Sequence, residues 1–349
     1  LLRQKSAEHA NLWAVVKITG DFMLVVENPW VTDPHLNLAL EEHLLRNVLR
    51  EEPIFLFYVN EPAVIVGRNQ NVLEEVDLTY VRSKGIHVVR RLSGGGTVYH
   101  DFGNLNYSML LPGQERLHDF AYFTAVLSHA LREFGLQTEL RNRSSLFIDS
   151  RKISGNAQYA PSGRLVSHGT LLFDTDLEAM LRAINPQRGA IESRAVQSVR
   201  SQVVNLRELL PADVTMHDLR QAILRSLERL GPTAVLHLTA DDWAQVHKLA
   251  GERYQTWEWN IGRSPRFTVT NQVLLGEETL AAEIVVDKGC IREVTFTAPQ
   301  HLQEALALLT TRLPGVRYDP AALESVIAQV LNESADGRLT ARLLLNLLY

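Results

Sequence analysis

The stretch Arg90-Arg91-Leu92-Ser93-Gly94-Gly95-Gly96-Thr97-Val98-Tyr99-His100-Asp101-Phe102-Gly103-Asn104 decides how this chain is read. It follows directly on an apolar run at 86–89, read as a strand, and a strand resumes at Val98-Tyr99. Three consecutive glycines permit positive φ and let backbone N–H groups approach a bound anion. Arg91 beside them can grip a phosphate or carboxylate through two parallel hydrogen bonds. No Gly-Lys-Ser/Thr follows, which excludes a P-loop, and Gly-x-Gly-x-x-Gly is absent. Taken alone, three glycines fit a hairpin turn equally well.

Outward from this turn, Arg151-Lys152-Ile153-Ser154-Gly155-Asn156-Ala157-Gln158 sets a lysine between an apolar run at 146–148 and a glycine turn. Held inward, its charge stabilises an anion developing on a carboxyl or phosphate group; an isolated lysine on a turn is otherwise a solvated one. Ser167-His168-Gly169-Thr170-Leu171-Leu172 reads as a polar turn leading into a strand, with His168 either structural or in contact with a ligand. Residues 198–206 offer Arg200 in a polar loop, which by itself says little. Residues 82–91 carry four basic and no acidic side chains, and 141–152 carry four basic ones and a single acid, Asp149. On a chain of net charge −5, two basic segments bracketing the glycine turn point to a local anion pocket rather than a general basic coat.

Around these stretches the pattern is mixed. Residues 24–26 read as a short strand ended by Asn28-Pro29, and Asp33 caps an amphipathic helix over 33–45. The runs 54–59 and 63–66, separated by Asn60-Glu61-Pro62, predict a β-hairpin. Helical spacing covers 78–84, 120–134, 177–184, 216–230 and 239–254, the last starting from an Asp241-Asp242 cap; 171–173 is a short strand. After Gly262, three antiparallel strands are expected at 267–275, 280–286 and 291–296, turning at Asp287-Lys288-Gly289, then helices at 301–313 and 321–331. A boundary at 258–262 divides 1–258 from 262–349, with Trp257 and Trp259 packing between the two parts. The fold class is α+β.

Length agrees: 349 residues, at roughly 150 per domain, fit two domains. With 46% apolar and 21% charged residues the chain is globular rather than disordered. Its acidic balance argues against nucleic acid as a partner. No run of 18 apolar residues spans a membrane, and residues 1–10 lack the apolar core of a secretory signal, so a cytoplasmic protein is expected. The first residue is Leu, which leaves a removed leader open. The single cysteine, Cys290, excludes an intrachain disulfide and a cysteine-rich zinc site. His-Glu-x-x-His and Gly-x-Ser-x-Gly are both absent.

In their order, residues 33–42 (DPHLNLALEE), 64–75 (VIVGRNQNVLEE), 90–104, 151–158, 168–172, 198–206 and 257–265 resemble the lipoate–protein ligase A family, from about residue 22 to the end. The resemblance implies a biotin/lipoate-ligase-like mixed-sheet catalytic domain over 1–258 and a small α+β accessory domain over 262–349. It implies that ATP and lipoate, or octanoate, react to an acyl-AMP and pyrophosphate. The acyl group then passes to a lysine ε-amine on E2 subunits of 2-oxo acid dehydrogenases or on the glycine-cleavage H protein. By this likeness Lys152 is catalytic and touches both substrates. Arg91, Gly96, Thr97, Val98 and Tyr99 contact the nucleotide, Ser93, Gly94, Gly95 and His168 line the lipoyl side, and Mg²⁺ accompanies ATP.

One departure stands out. The family reads Gly-Arg-Asn-Asp-Leu before the lysine strand, and this chain reads Asn142-Arg143-Ser144-Ser145-Leu146. Ser145 replaces a carboxylate suited to a Mg²⁺-phosphate partner, and Asp149 lies nearby in sequence. The expectation is that adenylation survives; transfer from preformed lipoyl-AMP only, or a cysteine-independent acyltransferase or binding protein of the same fold, are the alternatives. A thioester route would need a cysteine in the catalytic part, and Cys290 lies in the other part.

Overall fold

This computed structural model describes residues 22–28, 30–186, 190–199, 201–333 and 339–349. Residues 1–10, Pro29 and Arg200, on which readings above fall, lie outside them. The first part of the chain supplies β1 (Met23–Asn28), β2 (Ile54–Val59), β3 (Ala63–Val66), β4 (His87–Arg90), β5 (Val98–His100) and β6 (Asn104–Leu111). The middle adds β7 (Glu139–Arg141), β8 (Ser145–Ile148), β9 (Arg151–Tyr159), β10 (Leu165–Leu172), β11 (Ala190–Ser193) and β12 (Thr233–Val235). The last part adds β13 (Phe267–Leu275), β14 (Glu278–Asp287) and β15 (Cys290–Thr297). Eight strands form one mixed sheet in the order β12-β1-β2-β6-β10-β9-β8-β7. Within it β1 runs parallel to both neighbours and the other pairs are antiparallel. A small sheet, β4-β3-β5, and a third, β11-β13-β14-β15, complete the α+β architecture.

The large sheet is buried on both faces. Phe55 and Phe57 of β2 join Tyr107, Phe123 and Ile223 on one side, under α2 (Phe120–Glu133) and α3 (Met216–Glu228), while α1 (Pro34–His43) precedes both in the chain. Ile54 and Leu56 join Leu40 of α1, Ile65 and Val166 on the other. Two-sided burial is why β2 reads as an unbroken apolar run. Asp33 caps α1, accepting from the His35 amide at 2.7 Å with Pro34 just inside, as the sequence indicated. α4 (Ala240–Leu249) is capped by Thr239, reciprocally with Asp242, rather than by the aspartates alone.

The expected hairpin does not form. β2 sits between β1 and β6 in the large sheet, and β3 sits between β4 and β5 in the small one. Each strand is buried and pairs on both edges, which a two-stranded hairpin cannot provide. The connection is instead tied to α1 and the residues just before it: Asn60 Oδ1 accepts from Asn37 Nδ2 at 2.8 Å, and the Glu61 amide donates to Thr32 O. Residues 167–170 and 155 also lie inside strands, β10 and β9, where turns were expected. The turn before the lysine is Asp149-Ser150, both at positive φ.

The three late strands form as read, followed by α5 (Gln303–Arg312), α6 (Pro320–Glu333) and an unanticipated α7 (Ala341–Leu348). Their sheet takes its fourth strand, β11, from far earlier in the chain, Ser193 pairing with Phe267. Trp257 packs against Gly262, Gly289 and the Arg317 guanidinium, while Trp259 donates its indole N–H to Arg90 O at 2.7 Å. The pair thus contacts residues on both sides of 258–262.

Candidate active site

Period-two alternation builds the site. In β6, Leu105, Tyr107 and Met109 enter the core under α2 and α3, which leaves Asn104, Asn106 and Ser108 for the opposite face. Cross-strand pairing sets His168 opposite Ser108 and Thr170 opposite Asn106, so these polar side chains share that face. α1 and the glycine-rich turn between β4 and β5 cover it.

The turn is held by Arg91, which is buried. Its Nη2 donates to Gly94 O at 2.6 Å and Gly96 O at 2.7 Å, its Nη1 to Ile65 O at 3.0 Å and its Nε to Ser93 Oγ at 3.0 Å. Gly95 sits at φ 84°, which lets these two carbonyls turn inward toward one guanidinium. Burial pulls the Arg91 pKa down to about 10, against the opposing pull of Tyr58 and Glu41, and the group stays charged at neutral pH. Ser93 Oγ lies 2.6 Å from His168 Nε2, and His168 Nδ1 lies 2.8 and 2.9 Å from the two oxygens of buried Glu41. The Glu41 carboxylate, also bonded by Ser108, is held below its usual range by His168, Ser108 and Arg91, despite the larger opposing effect of burial. With the Nδ1–H aimed at a carboxylate, Nε2 accepts the Ser93 hydroxyl. Arg91, Ser93, His168 and Glu41 are therefore one connected network, resting behind the loop.

Lys152 is different. It occupies the second position of β9, half-buried, and among the described residues its ammonium has no hydrogen-bond or ion-pair partner. Burial lowers its pKa, and Arg91 lowers it further. Gly155 leaves space for the side chain: a Cβ there would lie 3.1 Å from Lys152 Nζ. Of the eight basic residues that suggested an anion pocket, Arg91 and Lys152 line it, while Arg90 is buried behind, donating to Gly67 O, Gln70 O and Ser264 Oγ.

Two adjoining cavities meet at Lys152. The first, about 500 Å³, ends among the buried side chains Leu38, Tyr58 and Ile65 and is lined further out by Gly95, Gly96 and Thr97. The second, about 570 Å³, is lined by Val98, Tyr99, Leu172 and Met180. His168 lines the first; Ser93 and Gly94 line neither. Both are lined by Gln197, Ser198, Val199 and Ser201. Ser198 accepts from the Thr97 amide at 2.8 Å and Gln70 Nε2 at 3.1 Å, and its hydroxyl donates to Glu75. Ser145 lines the first cavity beside Ser144 and Asn142, whereas Asp149 lines neither. Among the described residues no cluster of three His, Cys, Asp or Glu side chains is placed to hold a metal.

Sequence reasoning did not single out Glu41, Gln70, Glu75, Asn106 or Ser198 individually. Glu41 was visible as an acid on the apolar face of an amphipathic helix. Asn106 was visible as a polar residue in a period-two run. The loop contacts of Ser198 are non-local and left no such signal.

The family model for the lipoyl protein ligase A/B catalytic domain matches residues 33–228, more than half of the chain. The chain belongs to the lipoyl protein ligase A/B family. Among its relatives in this family is the lipoate–protein ligase LplJ of Bacillus subtilis, 37% identical over 331 residues that cover 94% of this chain and all of LplJ. A putative lipoate protein ligase from T. acidophilum, solved with bound lipoic acid, superposes with a TM-score of 0.58 at 27% identity, covering 69% of this chain and 98% of that one. A lipoate–protein ligase A bound with ATP gives 0.59 at 28% identity over the same shares of the two chains. Like the family's enzymes, this chain is a ligase. No helix among its described residues is long and apolar enough to cross a membrane.

Proposed function

We propose that this ligase joins lipoate to ATP, forming lipoyl-AMP and pyrophosphate, and passes the lipoyl group to a lysine of an acceptor domain. The observation that carries this reading is the unpartnered Lys152 ammonium at the meeting point of two cavities. One ends in apolar side chains and suits an acyl chain; the other, walled by Val98, Tyr99 and Leu172, suits a nucleotide base. Lipoate's carboxylate and the α-phosphate of ATP repel, and a cation between them lowers that repulsion. The carboxylate oxygen attacks the α-phosphorus, and pyrophosphate leaves. The acceptor amine then attacks the acyl carbon, the oxyanion forms against Lys152, and AMP leaves as the amide forms. Orientation in the two cavities makes each attack effectively unimolecular.

In this reading Lys152 is the catalytic residue, Thr97, Val98 and Tyr99 wall the nucleotide, Gly95 and His168 lie on the lipoyl side, and Gly96, which lines the first cavity, lies beside Thr97 where the two cavities adjoin. Arg91, Ser93 and Gly94 act by holding the loop. Residues 1–258 form the catalytic part and 262–349 an accessory part joined through β11. The acceptors are lipoyl domains of E2 subunits and the glycine-cleavage H protein. Magnesium would arrive on the triphosphate; among the described residues that line the first cavity, Asn142, Ser144 and Ser145 would offer it amide and hydroxyl oxygens and no carboxylate.

The test incubates the chain with apo H protein, ATP and lipoate and weighs the acceptor. Gain of one lipoyl group at one lysine is expected; an unchanged mass contradicts the proposal. Ser145 favours a second reading, transfer from preformed lipoyl-AMP alone. Lipoate-dependent pyrophosphate–ATP exchange decides against it, and absence of exchange with retained transfer from lipoyl-AMP decides for it.

A further inference from the structure

Arginines without a carboxylate partner border the first cavity. Arg68 is exposed and lines neither cavity, yet its backbone and both neighbours tie it to the mouth. Gly67 packs so closely on Gly95 O that no side chain would fit there. The Arg68 amide donates to Ser93 O at 2.9 Å, and Asn69 O accepts from the Val196 amide at 3.2 Å. The Arg68 guanidinium lies over the Tyr159 ring, 5.8 Å from its centroid. Tyr159 stands on the same face of β9 as Ala157, which lines the cavity. Arg46 donates to the Tyr159 hydroxyl at 3.3 Å, and Arg164 donates to Leu45 O and Arg46 O beside it. On the turn before β8, exposed Arg143 stands between Asn142 and Ser144, which both line the cavity.

These charges are not neutralised. Among the described residues Arg68, Arg143 and Arg164 form no ion pair, and Arg46 shares the buried Glu42 with Arg253. The carboxylate that the group holds thus lies below the surface, with guanidinium groups above it. On a chain of net charge −5 such a concentration is local and suits an anionic partner. Its place says which one. Exposed Val196 and Val199 line the same cavity, and Val199 lines both cavities together with Lys152. An acceptor lysine reaches an acyl group held against Lys152 only over its own four-carbon stem. The acceptor's surface must therefore rest on this rim. Guanidinium groups beside an aromatic ring also suit nucleic acid, but that reading leaves their closeness to the reacting centre without use.

We propose that Arg68 and Arg143, backed by Arg46 and Arg164, form a docking face for an acidic surface of the acceptor domain around its target lysine. The proposal rests on the ligase reading above. Attraction of this kind speeds encounter and weakens with salt, while the chemistry inside the cavities is untouched. The test measures kcat/KM for apo H protein at saturating ATP and lipoate, at low and at physiological ionic strength. Lipoate-dependent pyrophosphate exchange without acceptor runs beside it. The double variant Arg68→Glu, Arg143→Asp reverses both charges; Asp suits position 143, where φ is 68°. It is expected to lower the acceptor's kcat/KM by roughly tenfold or more at low salt, through KM, and to flatten its salt dependence. Exchange and melting temperature should stay native. Where the double variant does not fold, Arg68→Gln carries the same comparison with a smaller shift. A native acceptor KM and salt profile in the variant overturns the proposal and leaves the ligase reading standing. A parallel fall in exchange also overturns it, since a structural defect would do that. Native transfer together with lost binding to single-stranded DNA overturns it in favour of a nucleic-acid face. Transfer of nothing to apo H protein by the native chain overturns the ligase reading, and this proposal with it.

Discussion

Arg91 and Lys152 line the same cavity, both carry positive charge away from bulk water, and they are used in opposite ways. Arg91 directs three N–H groups at loop oxygens and a fourth at Ile65 O of β3, and has Glu41 nearby to balance its charge. Lys152 has no partner among the described residues. A buried charge without compensation costs stability, and a site that tolerates one holds it ready for a ligand's charge. The guanidinium builds the loop; the ammonium faces the substrates. A fork of five fixed donors suits the first task and a flexible point charge the second.

Substitutions separate the two roles. The largest effect on rate is expected from Lys152→Met: amide formation should fall by roughly 10²–10³-fold, the usual cost of losing one oxyanion donor. Its melting temperature should stay level or rise, because the variant removes an uncompensated charge. Arg91→Met should behave the other way round. It orphans the carbonyls of Gly94, Gly96 and Ile65 and leaves Glu41 short of a counter-charge, so urea unfolding should show a loss of about 3 kcal/mol or more. Activity and melting temperature should then fall together. Equal behaviour of the two variants would erase the distinction.

A smaller effect sharpens it. In Gly155→Ala the new methyl would stand about 3 Å from the ammonium and push it aside. A loss of roughly tenfold in kcat/KM with little change in stability is expected, consistent with the sensitivity of oriented reactions to small displacements. Smallest is the pH response, read in pyrophosphate exchange so that the acceptor amine plays no part. Lys152 acts protonated and its pKa is lowered by burial, so exchange should decline as pH rises through a value below the ordinary lysine range. For stability the sign is reversed. The unfolded chain binds this proton up to its ordinary pKa and the folded chain gives it up earlier, so this group's penalty shrinks as pH rises between the two values. An exchange profile still flat at the ordinary lysine pKa would show that the ammonium is not buried as described.

The two sites also differ in how legible they were. The glycine turn and Lys152 each lie in a short contiguous string, and reading those strings with charge in mind located the cavity. The network behind the loop spans Glu41, Ser93 and His168, on three elements brought together only by sheet pairing and by the packing of α1. β6 carried a legible signal, Asn104, Asn106 and Ser108 alternating with Leu105, Tyr107 and Met109, yet it was not among the strands assigned. The hairpin reading failed because strand length and a turn sequence say nothing about which edges a strand must pair. β11, a four-residue strand that completes a sheet of the last part of the chain, is visible only once β13 exists to receive it.

The most direct measurement of the central claim is a single-turnover transfer from lipoyl-AMP to apo H protein by the native chain and by Lys152→Met, with both melting temperatures recorded. A slower transfer by at least roughly 10²-fold in a variant as stable as the native chain is expected. Transfer at the native rate, or a variant that is slow only because it is unfolded, would contradict the role assigned to Lys152.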